Sequence, residues 1–255
     1  MTDQTPSQIL ARPDGATIAY NSIPGKSPGV VFLSGFMSDM TGTKAMALEE
    51  HCKACGQAFL RFDYSGHGQS SGAFAEGTIG QWAQDAIYAI ENLTEGPQVL
   101  VGSSMGGWIM LLAALRLKER VCALIGLAAA PDFTEDLVAR ELTDEQRQIM
   151  ARDGFIEVPC DYDDGEPYTI TQKLIDDGRN NLLLGGDIAL NQPVRLIQGL
   201  KDSDVPWSTA LKLQEKITST DVEVTLIKDG DHRLSEPDDL ARLRVTLDAL
   251  LDIPG

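Results

Sequence analysis

Basic side chains are the scarce class in this chain: 21 lysines and arginines stand against 38 aspartates and glutamates, a formal net charge of −17. A surface of that sign repels phosphate backbones and anionic lipids, so no nucleic-acid partner and no electrostatic docking on membranes is expected; polyanionic substrates such as acyl-CoA are disfavoured. Cysteine is scarce as well. Four in 255 residues do not make a disulfide framework. Cys52 and Cys55 form a C-x-x-C, but the pair closes a helix just before Gly56, the end of the dipole that disfavours thiolate. Neither Cys122 nor Cys160 has a partner at ligand spacing, so buried or half-buried thiols are expected, and no metal. No apolar run approaches the length of a membrane span, and no stable membrane insertion is expected. The amino terminus, Met1 to Gln8, lacks the basic and apolar regions of a signal peptide and the arginine-rich character of a transit sequence. A cytoplasmic protein is expected, or the processed form of one imported into a matrix. Histidine is the rarest titratable type, with three in all, and that scarcity limits which residue can act as a base.

What is present is ordinary in bulk and ordered in pattern. A hydrophobic content of 43% with 23% charged residues suits a globular chain, and this length can bury one large core. Ile9–Arg12 and Thr17–Tyr20 read as a hairpin across Pro13-Asp14-Gly15. Apolar strands are expected at Gly29–Ser34, Ala58–Phe62, Gln98–Val101, Cys122–Leu127, Pro193–Gln198 and Val222–Ile227. Helices are expected over Thr41–Cys55, Ile79–Leu93, Gly107–Leu115, Ser208–Ile217 and Leu240–Leu251. Alternation of this kind predicts an α/β fold: a mostly parallel central sheet with helices on both faces. It breaks after Pro131. Residues 132–191 are polar and acidic, with helix-like patches at Asp136–Arg152 and Ile170–Leu184 and an irregular piece holding Ile156, Val158 and Tyr162. We therefore expect a core of residues 1–131 and 192–255 and a helical lid insertion at 132–191.

Gly102-Ser103-Ser104-Met105-Gly106 lies between an expected strand and an expected helix, the context in which G-x-S-x-G makes a nucleophile elbow. Glycines at 102 and 106 remove Cβ atoms that would clash in so tight a turn, leaving the Ser104 hydroxyl exposed at the strand end. A serine nucleophile needs a base and the base an orienter, in the chain order Ser, acid, His. His51 and His67 precede Ser104, so His232, just after the Val222–Ile227 strand, is the candidate base. Asp202, directly after the Pro193–Gln198 strand, is the preferred acid; Asp204 is the runner-up, and Asp231 is too close in sequence to reach the far side of the ring. The backbone amides of Met105 and Phe36 are the candidate oxyanion donors.

At these residues the chain resembles the α/β-hydrolase superfamily, and within it the branch of mitochondrial palmitoyl-protein thioesterases also described as acyl-glucuronide esterases. The likeness is carried by Lys26-Ser27-Pro28-Gly29, Gly42-Thr43-Lys44-Ala45, Arg61-Phe62-Asp63-Tyr64-Ser65-Gly66, the elbow with Gly107-Trp108, Asp204-Val205-Pro206-Trp207, Ser219-Thr220-Asp221-Val222 and Asp231-His232-Arg233. It implies Ser104 as nucleophile, Asp202 as acid and His232 as base. The chain departs from the pattern at Ser34-Gly35, where His-Gly is common, and most of all in the insertion. The expected activity is hydrolysis of carboxylic esters or thioesters through an acyl-enzyme, without a cofactor, on a small molecule or an S-acylated protein. A broad short-chain carboxylesterase is the alternative enzyme, and a hydrolase-fold binding protein the alternative of another kind. Phe133, Leu137, Val138, Leu142, Ile149 and Phe155 are candidates for an acyl tunnel or for the core of the lid.

Overall fold

The computed structural model describes residues 7–138, 142–158 and 167–252. Its frame is an eight-stranded sheet. The strands are β1 (Gln8–Ala11), β2 (Thr17–Ile23), β3 (Lys26–Leu33), β4 (Gln57–Phe62), β5 (Gln98–Ser103), β6 (Val121–Leu127), β9 (Val194–Gly199) and β10 (Val222–Ile227). They lie in the order β1-β2-β4-β3-β5-β6-β9-β10. β1 and β2 pair antiparallel, β2 is antiparallel to β4, and every later pairing is parallel. β5 is buried along its whole length and β3 from Gly29 to Leu33, as helices on both faces require.

α2 (Ile79–Leu93), α3 (Met105–Arg116) and α7 (Ser208–Lys216) cover one face; α1 (Thr43–Cys55) and α8 (Pro237–Leu251) cover the other. Local chemistry sets their ends. The Thr78 hydroxyl accepts the Gln81 N–H and starts α2, and Gly56, at φ 73°, closes α1 in the left-handed conformation. α8 begins three residues earlier than its apolar pattern, because Glu236 and Asp239 form a capping box and Pro237 fits the first turn. Cys52 is buried inside that frame, and burial pushes its thiol up to about 12. Cys55 is exposed rather than half-buried, because it sits on the last turn of α1. Cys160 lies outside the described residues.

Between β6 and β9 the structure differs from the expected helical insertion. The patch at Asp136–Arg152 divides into α4 (Phe133–Asp136) and α5 (Asp144–Asp153), since Thr143 and Gln146 form a capping box that opens a new helix. The piece around Ile156 and Val158 is a strand, β7 (Phe155–Val158), paired antiparallel with β8 (Tyr168–Thr171). The β-branched run Thr169-Ile170-Thr171 outweighs the helical spacing there, and only Gln172–Arg179 is helix, α6. Tyr162 lies outside the described residues.

The order reversal at β3, with β4 on one side and β5 on the other, makes a switch point where the loops after β3 and β5 part. There the two backbones press together. A methyl group on Gly106 would overlap the carbonyl oxygens of Leu33 and Ser34, and one on Gly102 would overlap the Gly106 carbonyl. Gly106→Ala is accordingly expected to cost about 3 kcal/mol or more and to lower Tm by roughly 6–12 °C, as read by urea and thermal unfolding.

Candidate active site

Ser104 occupies the turn between β5 and α3 with φ 55° and ψ −122°, a conformation that costs a non-glycine residue on the order of 1–3 kcal/mol. Hydrogen bonds over-determine it. Its N–H donates to Leu127 O at 2.9 Å, and its carbonyl accepts the Gly107 and Ala130 N–H groups at 2.8 and 3.0 Å. Met37, Ala128, Asp132 and Leu234 also hold positive φ. All lie in loops at the carboxyl edge of the sheet, so the strain is gathered around Ser104.

The structure brings the three residues singled out in sequence into one chain of hydrogen bonds. Ser104 Oγ lies 3.1 Å from His232 Nε2, and His232 Nδ1 lies 3.0 and 3.1 Å from the two carboxylate oxygens of Asp202. With the proton on Nδ1, the ring donates to Asp202 and accepts the Ser104 hydroxyl, the tautomer that a serine-activating base requires. Asp202 is fully enclosed. Burial alone would raise its carboxyl; the hydrogen bond and charge of His232, with the Val205 and Asp204 amides, hold it below the usual range. Those amides reach Oδ1 at 2.8 and 2.9 Å.

Gln198, which sequence reasoning missed, completes the cage: its side-chain amide donates to Asp202 Oδ2 at 2.8 Å. The available signal was a glutamine directly after the apolar pair Leu196-Ile197 in an inner strand, since a buried polar side chain needs a partner. Asp204 lies on the other side of the imidazole, with a carboxylate oxygen 3.8 Å from Nε2. It cannot orient Nδ1 from there.

The two candidate oxyanion donors flank the serine. Met105 opens α3, where first-turn N–H groups have no partner within the helix. Phe36 follows Gly35, whose backbone runs so close to Ser104 that a Cβ there would stand 3.4 Å from the Ser104 Cβ. The loop's far end is pinned by the Arg61–Asp63 motif. Asp63 accepts the Met40 N–H at 2.7 Å, and Arg61 donates to the Met40 carbonyl at 2.9 Å.

Ser104, His232, Phe36 and Met105 line one cavity of about 420 Å³, within the range of small-molecule sites. Phe36, Phe133, Leu137, Val158, Tyr168 and Ile170 form an apolar wall; Lys44, Asp204 and Arg233 are among the polar residues on the remainder. Lys44 is lowered to about 8 by burial and by Arg233. Of the residues proposed for a tunnel, Phe133 and Leu137 face the cavity, whereas Leu142 is packed away and Phe155 is 45% exposed. Val158, Tyr168 and Ile170 were not anticipated, because they belong to the unforeseen hairpin. Among the described residues no helix is long and apolar enough to cross a membrane.

The family model Hydrolase_4, described as serine aminopeptidase, S33, matches residues 26–152. The palmitoyl-protein thioesterase ABHD10, mitochondrial, of Homo sapiens is 43% identical over 251 residues, which cover 98% of this chain and 81% of the human protein. Among solved structures, alpha/beta hydrolase domain-containing protein 10 from mouse superposes with a TM-score of 0.89 at 40% identity, covering 97% of this chain and 99% of its own. A structure from Agrobacterium vitis S4 gives 0.91 at 40% identity, with 97% and 100% coverage. Sequence and architecture agree over nearly the whole chain, and this hydrolase belongs to the α/β-hydrolase family, in the branch that contains ABHD10.

Proposed function

We propose that the chain hydrolyses thioesters or esters with an apolar acyl group through an acyl-enzyme on Ser104. The observation that carries this reading is the Ser104–His232–Asp202 hydrogen-bond chain opening on a cavity with one apolar wall. Ser104 Oγ attacks the carbonyl carbon while His232 Nε2 takes its proton. Negative charge then develops on the carbonyl oxygen, where the Phe36 and Met105 amides are the proposed donors, each worth roughly 3–4 kcal/mol in comparable enzymes. Collapse expels the thiol or alcohol, protonated by His232. Water, deprotonated by the same nitrogen, releases the acid and restores Ser104.

Residues 132–191 act in this reading as the lid. Asp132 at its base accepts the Leu183 and Leu184 N–H groups, both at 2.8 Å, and the Trp108 indole N–H donates to Asn181 O at 3.0 Å. Those ties support a fixed rear half, with the β7–β8 hairpin presenting Val158, Tyr168 and Ile170 to the acyl group. A palmitoylated or similarly acylated protein is the substrate class suggested by the relatives' names. Of the two compartments expected from sequence, those names agree with the imported one.

Two measurements test the reading. Asp202→Asn is expected to lower kcat by about 10⁴, with Asp204→Asn staying within about tenfold of wild type; the reverse ranking would move the acid role to Asp204. In a series of acyl thioesters and nitrophenyl esters, kcat/KM is expected to rise with chain length, by roughly 10-fold or more from butyryl to decanoyl as apolar area is buried. A preference for acetyl and butyryl would instead identify a short-chain carboxylesterase. Failure of Ser104 to take a fluorophosphonate label would sink the enzyme reading and leave a binding protein.

A further inference from the structure

Phe36 contributes a backbone amide to the proposed site, and its side chain occupies an unusual place. The ring is only half-buried, yet four aromatic rings from separate parts of the chain meet it edge-on. Two belong to the core: Phe74 at 4.8 Å and Trp82, on α2, at 6.0 Å. Two belong to the insertion: Phe133, on α4, at 5.7 Å and Tyr168, on β8, at 5.8 Å. The core pair is rigid. Phe74 and Trp82 stack at 5.8 Å, and the Trp82 indole N–H donates to Ser65 O at 3.0 Å. The backbone around Phe36 is not regular secondary structure: Gly35 runs against Ser104, and Met37 holds φ 53°. A loop in that conformation needs an external restraint to keep one amide direction, and edge-to-face ring packing supplies one.

We propose that the Phe36 side chain is a positioning clasp, through which docking of the insertion on the core sets the direction of the Phe36 amide toward the oxyanion. The inference rests on the acyl-enzyme reading above. Phe133 and Tyr168 line the cavity as well as touching Phe36. An acyl chain lying against them therefore presses on the clasp, and its binding is expressed in the transition state, raising kcat rather than lowering KM. A ring that served only as packing would give stability and leave the oxyanion untouched.

The test removes a ring from either side of the clasp, in Phe36→Leu and Tyr168→Leu, and counts active sites by stoichiometric fluorophosphonate labelling of Ser104. The expected result is a fall in kcat per labelled site of about tenfold in each variant, with KM within about twofold, a fraction of the loss seen when an oxyanion donor is removed outright. Inhibition by an alkyl trifluoromethyl ketone, whose adduct on Ser104 carries an oxyanion, should weaken by the same factor. Tyr168→Phe keeps the ring and should recover most of the loss. Unchanged kcat and ketone affinity would overturn the clasp, and so would a rise in KM at constant kcat, which would leave the ring as a wall of the acyl site and nothing more. Should Phe36→Leu fail to fold, Tyr168→Leu decides alone, since it leaves the loop sequence intact. Absence of labelling in the wild-type protein would overturn the acyl-enzyme reading itself, before any variant is compared.

Discussion

Contact between two stretches of backbone, Gly106 against the carbonyls of Leu33 and Ser34, is the constraint on which the rest of the site depends. With no Cβ at position 106, α3 can start directly beside the end of β3, so its first N–H groups and the loop after β3 converge on the same few ångströms as Ser104. The approach also leaves Ser104 no relaxed conformation. It holds φ 55° because its N–H and carbonyl are committed to Leu127, Gly107 and Ala130 on either side. Strain here is the local cost of an exposed hydroxyl, and packing of the surrounding core outweighs it. Trp108, Ile109, Met110 and Leu111 on α3 are all fully buried.

The second constraint is electrostatic. In a chain of net charge −17, carboxylates are common, and position alone separates Asp202 from Asp204. Two residues apart on one loop, they face opposite nitrogens of the His232 ring. Asp202 is enclosed, with donors from Gln198, Asp204, Val205 and His232. That supply of donors lets a buried carboxylate stay charged, and a charged, immobile carboxylate is what fixes the tautomer of an imidazole. Asp204 is 40% exposed and lines the cavity instead. An acid that water can screen would stabilise an imidazolium poorly.

Much of this was legible in the sequence, for identifiable reasons. Apolar runs of period one, split by amphipathic helices, announced the parallel sheet; α2 matched its expected span of Ile79–Leu93. With three histidines in the chain, chain order left His232 as the candidate base, and the fold sets its ring 3.1 Å from the Ser104 hydroxyl. Less legible were features made by contacts distant in sequence. Gln198 looked like the end of a strand until the fold set it beside Asp202. The β7–β8 hairpin was hidden because Phe155–Val158 has no continuous apolar run and a long connection separates it from Tyr168–Thr171. The ring cluster joins residues 36, 74, 82, 133 and 168, a set that no helical or strand period relates.

That hairpin also changes what the acidity of the insertion means. Several of its charges point outward. Asp144 is fully exposed, Asp176 is 58% exposed and Asp153 is 37% exposed. The side facing Ser104 is built from Phe133, Leu137, Val158, Tyr168 and Ile170, with Asp136 as the one carboxylate the insertion adds to the cavity among the described residues. Composition averages the two sides and reports only the outer one. Charge on the outside acts at a distance, slowing the approach of anionic molecules in a salt-dependent way, whereas the inner face acts by contact. In the proposed reading, association rate and acyl preference are therefore assigned to different residues of one segment.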